Sequence, residues 1–498
     1  MAAEAFAAEF DASAPGAKGL KTGALGYVSN IVIGVASTAP AYSLAATLGF
    51  IVAVPGIGVH APAVLIASFV PIFLVSLAYR YLNKADPDCG TTFAWTTRAF
   101  GPWVGWMNGW AIFVADVIVM ASLSVIAAQY TYLLFGWKSA AGSTVGVLVA
   151  AVMWIVLMTW ICYRGIELSA RTQQFLLGAE VVILFVFAVV ALAKVSAGVA
   201  GSVSVGAAWF NPFGVSFGAL ADGVLLGIFI YWGWDSGVAV NEESEDATEG
   251  PGKAAVVSTL LLVLVYVVVS AASQSYGGTK LLENNSSDVL SVLGTKVFGS
   301  PWDKLLIIAV LTSASASTQT TILPTARTTL SMARWGAIPE VFGRVNSRYL
   351  TPSVSTLGMG ALSIVWTVLL VAFNPAQDVL GDSITALGFS VCFYYGLTGL
   401  ACAFYFRKQL FRSLRIFLLA GLGPLVGGGL MIAVFAKAVH DYSLSGAGYA
   451  HPLLGIQIPI VIGIGTLLLG VPLMLLCALR FHVYFRRRLE VAPDGLLE

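Results

Sequence analysis

Apolar runs of about 20 residues, separated by short polar stretches, recur from Leu25 to the C-terminal region. A helix of that length spans the roughly 30 Å hydrocarbon core of a bilayer. The pattern predicts twelve crossings, at 25–53, 61–82, 103–134, 142–162, 172–195, 217–240, 254–277, 302–326, 353–373, 380–406, 415–437 and 457–482. This is an all-α polytopic membrane protein with no soluble domain.

Two of the crossings are interrupted. The sixth reads FGALADGVLLGIFIYWGWDSGVAV (Phe217–Val240). Between Tyr231 and Gly237 it holds two glycines, two tryptophans, a serine and Asp235. Gly233 and Gly237 weaken the helix there. A carboxylate near the bilayer centre costs about 2.5–3.5 kcal/mol on insertion scales unless it is paired or wet. The first crossing contains GVASTAPAYS, where Pro40 lacks an amide hydrogen and frees the carbonyl of Ala36. Ser37 and Thr38 stand ready to satisfy loosened backbone groups. Alone, the first interruption reads as an ordinary proline kink, whereas the sixth already suggests two half-helices around a binding site. Together, five crossings apart, they predict two broken helices of an inverted repeat with a binding site between the breaks.

Other polar residues lie inside apolar runs. Asp116 in the third crossing has three readings: a site carboxylate, a proton carrier, or a polar contact between helices. Glu180 is the single carboxylate of the fifth crossing, and apolar turns follow it. Asp222 lies near the outer end of the sixth, in a vestibule or in solvent. The eighth crossing is rich in hydroxyls from Thr312 to Thr321, which suit a polar pathway, a cation or close helix contact. Phe393, Tyr394 and Tyr395 in the tenth read as packing. The loop Asn83–Pro102 predicts a short amphipathic element, and the acidic stretch Asn241–Ala254 a solvated loop.

Composition agrees with the class: 58% of the 498 residues are hydrophobic and 10% charged, against about 25% charged in soluble domains. The net charge of +1 gives no reason to expect nucleic acid. Cys89, Cys162, Cys392, Cys402 and Cys477 lack metal-type spacing and read as packing residues. No metal site or cofactor is expected. No cluster of nucleophile, base and orienting group appears, so an enzyme is disfavoured. With the N-terminus inside, every arginine falls on the inner face. The outer face holds only Lys138, Lys194, Lys280, Lys296, Lys304 and Lys437. That bias predicts a cell-membrane protein with both termini cytoplasmic. Met1–Lys21 lacks an apolar core and reads as a tail rather than a cleavable signal.

Several segments resemble the amino acid–polyamine–organocation (APC) superfamily of permeases. FIYWGWDSGVAVNEES is similar to its sixth-helix pattern, and DPDCGTTFAWTTRAFGP to its loop after the second helix. YRGIELSARTQ resembles the segment before helix five, and RTTLSMARWGAIP the end of helix eight. The resemblance implies a 5+5 inverted repeat, alternating access and no covalent chemistry. It divides the chain into an N-terminal tail (1–24), a first repeat (25–200), a second repeat (201–406), two further helices (407–485) and a C-terminal tail (486–498). Substrate binding would fall to Ser37, Thr38, Ala39, Tyr231, Trp232, Gly233, Trp234 and Asp235. Two departures stand out. The first break lacks the glycines that usually bare amides to a substrate carboxylate, and Glu180 stands where several proton-coupled members carry a lysine. Glu180 is therefore the first candidate for a coupling group, with Asp235 and Asp116 after it. The expected function is proton-coupled import of an amino acid or amine, with sodium as the other possible ion. The alternative is a polyamine or basic amino acid antiporter. The protein would work as a monomer or homodimer.

Overall fold

The computed structural model describes residues 18–373, 376–444, 452–453 and 455–490. Among them are twelve helices long and apolar enough to cross a membrane, all within a few residues of the predicted crossings or extending them.

The first crossing is two helices, α1 (Tyr27–Ser37) and α2 (Pro40–Ala53), joined through Thr38 and Ala39. Ala39 takes a left-handed φ of 48° and Pro40 opens α2, where its missing N–H breaks no hydrogen bond. Crossings two to five are α3 (Ala61–Ala85), α5 (Pro102–Leu134), α6 (Thr144–Arg164) and α7 (Ile166–Ser196). The amphipathic element expected between crossings two and three is α4 (Thr92–Phe100). The sixth crossing is again two pieces. α8 (Phe217–Tyr231) ends at an extended Trp232, Gly233 follows with φ +116°, and the single turn α9 (Ser236–Ala239) resumes the path. Then come α10 (Gly250–Asn284), bent at Gly278, and the short α11 (Val289–Val297). The later crossings are α12 (Lys304–Arg334), α13 (Ser353–Phe373), α14 (Ala376–Tyr405), α15 (Gly423–Tyr442) with a wider turn leading into it, and α16 (Ile458–Arg480).

The crossings sort into a core and a ring. The most apolar window of α5 is 94% buried and that of the first crossing 89%, whereas the equivalent figures are 33% for α7 and 28% for α16. The ring leaves Val182, Phe185, Leu468 and Leu476 exposed, as a lipid-facing surface requires. α7 nevertheless turns Gln173, Leu177, Glu180, Leu184 and Phe187 inward, three or four residues apart on one stripe. Glu180, the one carboxylate within the apolar run of this lipid-facing helix, thus points into the bundle.

The eighth crossing runs to Arg334, well past the expected boundary near residue 326. Arg327, one residue past that boundary, is buried inside the helix, its guanidinium bonded to both oxygens of Glu243 at 2.8 and 2.9 Å. A neutralised charge need not reach the surface. The same pairing corrects the reading of the acidic stretch after the sixth crossing, because Glu242 and Glu243 are buried rather than solvated.

Candidate functional site

The two breaks lie against each other. A Cβ built on Gly233 would stand 2.8 Å from the carbonyl oxygen of Ser37, and one on Gly237 would stand 2.6 Å from that of Asn30. Gly34 is similarly crowded by the carbonyl of Trp234 and the hydroxyl of Ser258. Glycine is required at these positions because the two backbones touch. The Ser37 and Ser236 hydroxyls, one from each break, are 2.8 Å apart.

Side-chain hydroxyls cover the carbonyls released at the breaks. Ser317 of α12 donates to Ser37 O at 2.7 Å, and Ser43 donates to Thr38 O at 2.7 Å. Thr38 turns back onto Val35 O, and Tyr266 of α10 donates to Ile230 O at 2.7 Å. In the hydroxyl-rich run of the eighth crossing, Ser313 and Ser317 thus serve the first break, while Thr312, Thr318 and Thr320 bond carbonyls of their own helix.

Glu180 reaches the same place from α7. Its Oε1 accepts from the Ala41 N–H at 2.7 Å, at the N-terminus of α2. There the unsatisfied amides and the helix dipole favour an anion by about 0.3–2 kcal/mol. Its Oε2 is buried with no hydrogen-bond partner. The next amide, Tyr42 N–H, donates to Ser313 Oγ at 3.1 Å.

Asp235 lies in the sixth break and has partners different from those of Glu180. Tyr395 donates to its Oδ1 at 2.9 Å, while Tyr394 and Tyr79 donate to its Oδ2 at 3.1 and 3.3 Å. Trp232 Nε1 donates to the Tyr394 hydroxyl. Trp234 packs edge-on to Tyr79 and stacks on Tyr395, which closes an aromatic wall around the carboxylate. Tyr231 packs edge-on to Tyr266, and its hydroxyl is buried without a partner. Asp116 accepts from Thr325 of α12. Of the three candidate coupling carboxylates, Glu180 meets the first break, Asp235 the tenth and second crossings, and Asp116 the eighth. The tyrosines on Asp235 escaped the sequence reading. Tyr394 and Tyr395 looked like packing, and nothing marked Tyr79 inside an apolar run.

Beyond the arginine-bearing end of the breaks lies an ion-pair cluster. Lys18 is fully buried, 2.9 Å from Asp88 Oδ2, and also bonded to Glu242. Asp88 takes further bonds from Ser331 at 2.6 Å, Trp335 Nε1 at 2.9 Å and the Gly90 amide at 2.7 Å. Burial pushes Asp88 upward, but Lys18 and these donors outweigh it and hold the group below the usual carboxylate range. Burial dominates at Glu242 and Glu243 and raises both. Asp88, Cys89 and Glu242 bring one ligand atom each within 4.8 Å of one another, but the Lys18 ammonium already supplies the positive charge there. Lys18, Leu20 and Leu25 are therefore buried against the bundle. Ala24 and Leu25 both donate their amides to Glu243 O.

Comparison with known proteins agrees with this geometry. The chain is 24% identical to the human Asc-type amino acid transporter 1 over 428 residues, 82% of this chain and 78% of that protein. It is 23% identical to the branched-chain amino acid permease BcaP of Lactococcus lactis subsp. cremoris over 358 residues, 67% of this chain and 72% of that one. It is also 23% identical to the arginine/ornithine antiporter of Latilactobacillus sakei over 331 residues, 63% and 66% of the two chains. The family model described as amino acid permease matches residues 25–488, nearly the whole molecule. With twelve crossings, two of them broken and in contact, the chain belongs to the amino acid permease family of membrane transporters.

Proposed function

We propose that the protein is a proton-driven importer of an amino acid or amine in the cell membrane, with both termini cytoplasmic and Glu180 as the coupling group. Residues 25–200 and 201–406 act as the two inverted repeats of an alternating-access carrier. Substrate binds between Ser37–Ala39 and Tyr231–Asp235. The observation that carries this reading is the bond from the Ala41 amide to Glu180 Oε1. It ties the carboxylate buried in α7 to the second half of the first broken helix. Protonation removes the negative charge that the helix terminus favours, so α2 is held less tightly and can move relative to α7. Asp235 fits a coupling role less well, because both its oxygens are held by tyrosines.

The test is uptake into proteoliposomes with an imposed inward proton gradient. Glu180→Gln should transport down a substrate gradient but lose its acceleration by the proton gradient. Undiminished acceleration removes Glu180 from the coupling role.

The second reading is exchange. The similarity to an arginine/ornithine antiporter favours it, as does the burial of Asp116, Glu180 and Asp235 within the crossings, where the bonds they make are to hydroxyls and an amide rather than to a basic side chain. Counterflow distinguishes it: unlabelled internal substrate should then speed entry of labelled substrate without any ion gradient.

A further inference from the structure

We propose that Glu180 occupies the place of the substrate's own carboxylate, and that an amino acid binds at the first break by taking the Ala41 amide from a protonated Glu180. This rests on the reading of Glu180 as the coupling group and adds what the proton is for.

A half-helix N-terminus is where a substrate carboxylate is recognised, through free N–H groups. Pro40 has none. Ala41 N–H donates to Glu180 Oε1 at 2.7 Å, Tyr42 N–H to Ser313 Oγ at 3.1 Å, and Ser43 N–H to Ala39 O at 2.8 Å. Every donor of the first turn is in use, and the one held by a charge is held from another crossing.

A substrate carboxylate arriving while Glu180 is charged would place two anions on one amide in a low-dielectric site. A proton on Glu180 relieves this, because a neutral acid is a weak acceptor for a helix terminus. The other oxygen of Glu180 makes release easy. Oε2 is fully buried without a partner, so no second bond to it holds the group in place. The groups around Glu180 add no compensating cation. α12 presents Ser313, α10 presents Tyr266, and α2 presents backbone. Asp116 and Asp235 are engaged elsewhere.

The consequence is a sign. Substrates with a free carboxylate should bind better in acid, whereas amines without one gain nothing from vacating Ala41 and should prefer a charged Glu180. The probes are L-alanine, L-leucine and L-arginine, paired with ethylamine, 3-methylbutylamine and agmatine. Binding to the purified full chain is followed by thermal shift and calorimetry at pH 5.5 and 7.5. The best amino acid should bind about tenfold or more tighter at pH 5.5, within the tenfold per pH unit that one linked proton allows. Its decarboxylated partner should not follow. In Glu180→Gln the amino acid should bind at pH 7.5 as the wild type does at 5.5.

Equal amino acid affinity at both pH values overturns the proposal, as does binding by amines alone or by none of the amino acids at pH 5.5. If Glu180→Gln loses proton-driven uptake while wild-type affinity is pH-independent, the coupling reading survives and this one fails. If proton-driven uptake persists in that variant, the coupling reading itself fails. The wild-type pair of pH values decides the matter even if the variant does not fold.

Discussion

The two breaks share a plan and differ in how they hold their carboxylate. In the first, the acid comes from outside: Glu180 reaches in from α7 to the Ala41 amide, beside the Ser313 hydroxyl, and leaves its Oε2 without a partner. In the sixth, the acid is built in: Asp235 belongs to the break and has both oxygens held by Tyr79, Tyr394 and Tyr395. A buried carboxylate held by three phenols is a fixed part of the scaffold, because moving it strands several donors at once. One with an oxygen left unpartnered can leave more readily when its charge is removed. The difference in saturation, more than burial, separates a hinge from a switch.

The hardest blow to that contrast is Asp235→Ala. It leaves three buried hydroxyls without an acceptor, at about 1–3 kcal/mol each where no water replaces it, and partial relaxation brings the expected loss to about 3–5 kcal/mol. The purified variant should melt many degrees lower and transport little. Asp235→Asn keeps an acceptor and should recover most of the stability, with the pH response of uptake intact. If Asp235→Asn abolishes proton-driven uptake while remaining well folded, the sixth break is the switch and the comparison is inverted.

Gly233→Ala comes next, and it probes the contact between the breaks. The new methyl would sit 2.8 Å from Ser37 O at a φ of +116°, so strain and overlap combine to cost about 2–4 kcal/mol. Because backbone is struck rather than a pliable side chain, uptake should fall further than the melting temperature suggests. Normal transport by this variant would mean that the breaks do not need to approach so closely.

How much of this could be read in the sequence differs between backbone and side chains. The crossings were legible because a bilayer forces a length and a composition on each. The breaks were legible because Pro40 and Gly233 act locally. The partners were not. Nothing near Glu180 in sequence points to Ala41, 139 residues earlier. Tyr79 sits in an apolar run with no sign that it serves Asp235. The acidic stretch after the sixth crossing was misread for a related reason. Glu242 and Glu243 look solvated until Lys18 and Arg327 arrive from distant parts of the chain. Local chemistry shows where a helix must yield, while long-range pairing decides what the yielding exposes.

Glu180→Gln tests the other side of the contrast. It replaces a charged acceptor on a helix amide by a neutral one, so stability should change by about 1–2 kcal/mol at most. The functional change is larger: the pH dependence of uptake should flatten. A stability loss as great as that of Asp235→Ala would make Glu180 as structural as its counterpart.

The smallest expected effect belongs to Ala39→Gly, and it has the opposite sign. Ala39 holds a left-handed φ of 48°, which costs a residue with a Cβ about 1–2 kcal/mol. Glycine relieves that strain but loses about 0.5–1 kcal/mol through its freer unfolded chain. The balance is a gain of about 1 kcal/mol or less, read as a slightly higher melting temperature. The Ala41 and Tyr42 amides keep their partners, so proton-driven uptake should be unchanged. Where the first break is a switch, its strain is a backbone detail and its control lies in one side chain. If Ala39→Gly instead uncoupled uptake from the proton gradient, the strained residue itself would be the element that Glu180 holds in check, and control would pass from the carboxylate to the backbone it touches.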